Sequence, residues 1–157
     1  MNKGLTSKVG PFFIQKKIKR KQSMDFSKLS ISKSENEKFK FEVLHPISGD
    51  GTGTFLEVLG SENSVVRKHH TALLRKAQKQ DFENLRTNKP KFDDLEELRE
   101  QAIENALVRL VGWENLEWDG KELEFTTENA RKVLTACPWM CAQIVKESDD
   151  LGNFLKA

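Results

Sequence analysis

Residues 93–112 read DDLEELREQAIENALVRLVG, and their spacing decides the fold. Leu95, Leu98, Ala102, Ile103, Ala106, Leu107 and Leu110 recur every three or four residues, the period of a helix with one apolar side. Asp93 and Asp94 stand ahead of the stripe, where carboxylates favour the positive end of a helix dipole. The spacing predicts a core helix from Asp93 to about Val111, stopped by Gly112. Upstream, Pro90 lacks an amide hydrogen and restricts Lys89, so residues 87–92 predict a break. Before the break, VVRKHHTALLRKAQKQDFENL (65–85) predicts a helix of about six turns ending near Arg86. It puts Val66, His70, Leu73, Leu74 and Ala77 on one side, and turns Arg67, Lys68, Arg75, Lys76 and Lys79 to solvent or a partner. The polar group Ser61, Glu62, Asn63, Ser64 supplies its candidate N-caps.

Further toward the N-terminus the period changes to two. Phe39, Phe41 and Val43 alternate with Lys40, Glu42 and Leu44, which predicts a strand with one apolar face. Turn formers fill residues 45–53, HPISGDGTG, and Thr54 to Leu59 reads as a second strand, so a β-hairpin or small meander is expected. Downstream, GWENLEWDGKELEF (112–125) predicts a short hairpin or aromatic-rich loop about Asp119-Gly120. Thr126 or Thr127 caps a helix to about Ala136, and Pro138 precedes a last helix anchored by Trp139, Ala142, Ile144 and Val145. Gly152 weakens that helix before Phe154 and Leu155. The expected fold is helix-dominated α+β: an N-terminal β-hairpin followed by a bundle of about four helices, one domain over 35–157 behind a flexible tail over 1–34.

Charge divides the chain. Residues 1–38 hold ten basic residues against three acidic ones, whereas 39–157 hold 16 against 21. A basic tail with the cluster KKIKRK (16–21) therefore precedes an acidic body, and Met24 is an alternative start that would leave the cluster out. At 157 residues a single core can bury about 70% of the unfolded surface without disulfides. Cys137 and Cys141 read as reduced core thiols. Neither an apolar run of membrane-spanning length nor the order of a signal peptide is present, which predicts no membrane partner and a place in the cytoplasm of the cell that makes it.

Little here suggests catalysis. The run Gly49-Asp-Gly-Thr-Gly53 lacks the lysine and hydroxyl of a phosphate loop, so it reads as a hairpin connection. His45, His69, His70, Cys137 and Cys141 show no paired zinc spacing, and no base is placed by spacing to activate either thiol. We expect no enzyme activity, cofactor or metal. The basic tail and the basic helix could neutralise phosphates, but Tyr is absent and no known nucleic-acid module is recognisable, so specific nucleic-acid binding is not expected.

Two segments carry a resemblance. FEVLHPISGDGTGTFLEVLGSENSVVRK (41–68) runs strand, Gly-rich turn, strand, then Gly-x-x-Ser into a helix. VGWENLEWDGKELEFTTENARKVL (111–134) has a Gly-Trp pair, an acid-Gly-Lys-x-Leu-x-Phe turn and a Thr-rich cap. In this order and spacing they resemble the tail assembly chaperones of long-tailed bacteriophages, over about residues 25–157. Asn63 stands where many such proteins have Asp, which preserves capping; the basic N-terminal extension has no counterpart. The resemblance implies a non-catalytic chaperone in the host cell cytoplasm that coats the tape-measure protein, recruits tail-tube protein and leaves before the tail is finished; self-association is a further option. Trp113, Trp118, Trp139 and Phe154 are the candidate apolar anchors if exposed, with burial in the protein's own core as the alternative, and Arg67, Lys68 and Arg75 are candidate polar contacts. The competing readings are a structural component retained in the virion and a basic-tailed nucleic-acid-binding regulator.

Overall fold

The computed structural model describes residues 23–155, so most of the basic tail lies outside the described residues. Where the sequence predicts flexible chain through Ser34, residues Phe26–Leu29 and Ile31–Lys33 form two 3-10 turns. The Asp25 carboxylate accepts from the Ser27 amide at 3.0 Å, and the buried Ser34 hydroxyl donates to the Ile31 carbonyl at 2.7 Å. Short polar side chains close these turns locally, which a search for periodicity does not detect.

Alternation produces the expected hairpin. Strands β1 (Lys38–Leu44) and β2 (Gly51–Leu59) pair antiparallel, with Phe39 opposite Val58 and Phe41 opposite Leu56 on the inner face, and Lys40 opposite Glu57 on the outer. In the connection, the His45 ring Nδ1 accepts from the Ile47 and Ser48 amides at 3.2 Å, and Gly49 sits at φ +78°, a conformation that favours glycine. The Glu42 carboxylate accepts from the Gly53 amide at 2.9 Å and lies against Gly51, so the glycine run serves the hairpin.

Two long helices follow. Helix α1 (Ser64–Asn84) is capped by Asn63, whose Oδ1 accepts from the Val65 amide at 2.9 Å while Nδ2 donates to the Glu35 carbonyl at 2.9 Å. Asn63→Ala loses both bonds, and we expect it to lower unfolding free energy by about 1–2 kcal/mol in urea titration. Helix α2 (Leu95–Leu107) begins with a reciprocal capping box between Asp94 and Glu97.

The end of α2 corrects the sequence reading. The helix does not continue to Val111, and Gly112 does not stop it: Leu110–Glu114 forms strand β3, antiparallel to β2, with Trp113 opposite Leu56. The run Leu-Val-Gly-Trp extends as readily as it coils, and pairing it covers the free edge of β2 while burying Leu110. Strands β4 (Glu117–Trp118) and β5 (Lys121–Glu122) make the small hairpin, with both turn residues, Asp119 (φ +53°) and Gly120 (φ +78°), left-handed. Helix α3 (Thr127–Ala136) is capped by Thr126, and α4 (Trp139–Asp149) follows Pro138.

The result is the α+β class read from the sequence, with four α-helices and a small antiparallel sheet of order β1-β2-β3 among the described residues. The core joins Leu56 and Val58 of the sheet to Ile103 and Ala106 of α2, Val133 and Leu134 of α3, and Ile144 of α4. In α4, Met140 and Cys141 are buried instead of the expected Ala142, which is exposed. Helix α1 takes almost no part: of its 21 residues only Val66 is buried.

Candidate partner-binding surfaces

Because α1 contributes so little to the core, it forms one leg of a projecting helical arm, with the first half of α2 as the other. The connecting loop is held to α1 by polar bonds: the Lys91 carbonyl accepts from Gln80 at 2.9 Å and from Asn84 at 2.7 Å, and the Lys91 amide donates to Asn84 Oδ1 at 2.8 Å. An open groove lies between the legs, bordered by His70, Leu73 and Ala77 on α1 and by Asp93 and Gln101 near and on α2. The arm leaves much apolar surface in water. Leu74, Phe82, Leu85, Phe92, Leu95 and Leu98 are all more than half exposed, with Leu85 at 85%. The stripe predicted to lie in the core is thus buried only in the C-terminal half of α2, at Ile103 and Ala106, and runs uncovered through Leu95, Leu98 and Ala102. Residues spaced this way on both legs form an apolar surface of the kind that marks association sites.

A buried cation fixes the root of the arm. Arg109 is 1% exposed, and its guanidinium donates to the Ser148 hydroxyl at 3.0 Å, to the carbonyl and side chain of Asn105, and to Asp149 at 3.4 Å. It also meets His70 Nε2 at 2.8 Å, so α1 is tied to α2 and α4 through one side chain. Ser148 in turn donates to the Leu59 carbonyl at 2.7 Å, which extends the cluster to β2. Burial pulls the guanidinium below its usual range, and Asp149 opposes that shift.

His69 beside it is pushed below its ordinary value of 6.5, first by burial and then by the neighbouring His70 and Arg109. Its Nε2 is buried without a hydrogen-bond partner among the described residues. The unfolded chain therefore protonates His69 before the folded chain does, so its contribution to stability is present above pH 6.5 and is lost as pH falls below it. We expect urea midpoints to drop on going from neutral pH to below 6.5, with a shallower drop in His69→Gln.

The aromatic residues singled out from sequence occupy different settings. Trp113 is half-buried, donates from Nε1 to the Leu123 carbonyl at 2.7 Å and meets Phe125 edge-on at 4.9 Å, which makes it a brace for the β4–β5 segment. Phe154 is 3% exposed, packs against Gly60 and meets Phe39 edge-on at 6.1 Å; it belongs to the core and offers no surface to a partner. Trp118 and Trp139 share the border of a small apolar hollow with Leu116, Val133 and Met140, and the Lys132 ammonium lies 5.6 Å from the Trp118 ring. Arg67, Lys68 and Arg75 border a shallow depression on the outer side of α1, floored by Ser64, Thr71 and Ala72. Sequence reasoning missed the arm's exposed tip and Arg109. Phe82, which falls off the α1 stripe, Leu85 at its far end beside the break, and a lone arginine inside the apolar run 106–111 were the available signals.

The thiols are free, Cys141 buried and Cys137 partly so, and burial raises the Cys141 thiol above its ordinary range. No group of three or more His, Cys, Asp or Glu able to hold a metal ion occurs among the described residues. No helix among them is long and apolar enough to cross a membrane.

A family model described as YdaY prophage protein matches residues 61–157, more than half of the chain. The chain belongs to the YdaY prophage protein family. The bacteriophage connection read from the sequence holds at the level of this phage-derived family. The YdaY match spans the whole arm, the β3–β5 segment and the two C-terminal helices, and leaves the β1–β2 hairpin outside. No curated protein and no solved structure matches the chain.

Proposed function

We propose that this YdaY-family chain is a phage tail assembly chaperone, which covers apolar stripes of the long helical tape-measure protein, brings tail-tube subunits to it and leaves before the particle is complete. It acts by surface exchange and carries out no catalytic step. One observation carries the reading: a helical arm with six large apolar side chains more than half exposed, on a protein of phage-derived family. Two legs with an open groove between them suit an amphipathic helix, which would lay its apolar side along Leu73, Leu74 and Ala77. The hollow beside Trp118 and Trp139 offers a second, smaller contact for a single apolar side chain.

The test is binding of the purified chain to helical segments of the tape-measure protein encoded by the same prophage. Leu74→Ser with Leu85→Ser is expected to lower unfolding free energy by no more than about 1 kcal/mol, because the side chains are 58% and 85% exposed, yet to weaken binding about tenfold or more. Unchanged binding would sink the arm's role. Recovery of the chain in purified virions by mass spectrometry would favour the retained structural component instead.

A further inference from the structure

Helix α1 rests lightly on the body. Val66 is its only buried residue, and the chain just ahead of it is pinned, with the Ser61 amide donating to the Ser148 carbonyl at 3.0 Å. One turn beyond Val66 stand two adjacent histidines, and the root of the arm closes around both with their rings uncharged. Arginine has no acceptor, so across the 2.8 Å contact Arg109 Nη2 donates and His70 Nε2 accepts. That fixes His70 as the neutral ring with its hydrogen on Nδ1. A proton added to Nε2 would set two donors against each other, each on a cation. His69 Nε2 is buried with no partner among the described residues, and burial, His70 and Arg109 together hold that ring below its ordinary 6.5. The carboxylates that act on the cluster are Glu104 from α2, which opposes the shift at His69, and Asp149 from α4, at 3.4 Å from Arg109. Glu104 is also paired with Arg131 and Asp149 with Arg109, so both already serve a cation.

We propose that the root of the arm is a proton-operated joint: uncharged His69 and His70 hold α1 against Arg109 and the body, and protonation of the pair releases α1 while the sheet and the C-terminal helices stay folded. Release is local because Arg109 keeps its bonds to Asn105 and Ser148 when His70 leaves. The released His69 takes a proton near 6.5 and the closed one only at lower pH, so closure is complete above pH 6.5 and weakens as pH falls below it. The joint also sets the width of the groove between the legs, whatever the arm binds, and it stands or falls independently of the chaperone reading.

Amide hydrogen exchange of the full chain at about pH 7.5 and about pH 5.5, corrected for the intrinsic pH dependence of exchange, tests the joint. Protection of α1 between Val66 and Lys76 is expected to fall about tenfold or more at the lower pH, while β2, α3 and α4 keep theirs. His69→Gln with His70→Gln, in which the amide oxygen at 70 still accepts from Arg109, is expected to remove the difference between the two conditions. Nitrogen NMR of the unaltered chain at neutral pH is expected to show His70 as the Nδ1–H tautomer, a reading that needs no variant. An Nε2–H tautomer would overturn the proposal. So would an α1 unprotected at neutral pH, a loss of protection shared by the whole domain, or an equal loss in the double variant.

Discussion

Arg109→Ala is expected to lower the unfolding free energy by about 3–5 kcal/mol, a large part of the stability of a domain this size. The side chain is 1% exposed and its guanidinium serves acceptors on Asn105 and Ser148 while also meeting His70 and Asp149. Truncation leaves the buried Ser148 hydroxyl and the Asn105 carbonyl without their shared donor, while the exposed His70 and Asp149 turn to water, so the penalty still exceeds the worth of any one bond. Arg109→Lys keeps the charge but loses the planar fork that meets three helices at once, and is expected to lose about half as much. Urea titration with an unchanged slope checks both. A loss under about 1 kcal/mol for alanine would mean that the cluster does not hold the root of the arm.

Phe154→Ala is expected to cost about 3–5 kcal/mol as well, through the cavity left where the ring fills space between Gly60 and Phe39. The contrast with Trp139→Ala is informative. Trp139 is 36% exposed, so its truncation is expected to cost less than half as much and to act mainly on whatever contacts the apolar hollow. If Phe154→Ala instead folded with near-normal stability and lost partner binding, the ring would be an anchor for another protein and its place in the core would be secondary.

Much of the architecture was legible in residue spacing. The alternation of Phe39, Phe41 and Val43, the polar group Ser61 to Ser64 that contains the Asn63 cap, the acids Asp93 and Asp94 at a helix start, the Thr126-Thr127 pair and the Asp119-Gly120 turn each express a local preference that the tertiary fold leaves undisturbed. Leu110 and Val111 were not legible in this way, because apolar residues in short runs suit either period and the choice is made by an edge of β2 more than 50 positions away in sequence. The arm was hidden for a related reason. Leu95, Leu98 and Leu74 have helical spacing whether or not something covers them, and spacing alone does not reveal that the body ends before their side chains are reached. Nor does it reveal Arg109, whose burial depends on acceptors from α1, α2 and α4 arriving together. Of the candidate contacts, Arg67, Lys68 and Arg75 do gather around one depression, whereas the four aromatics divide between brace, core and hollow.

The family match starts at Ser61, yet β2 ends at Leu59 and supplies Leu56 and Val58, both wholly buried. An expression clone trimmed to the matched region would therefore produce a polypeptide with β3 stripped of its neighbour and the inner sides of Leu134 and Ile144 open to water. Such a fragment would clump before it could be assayed, and its failure would say nothing about the partners of the intact molecule.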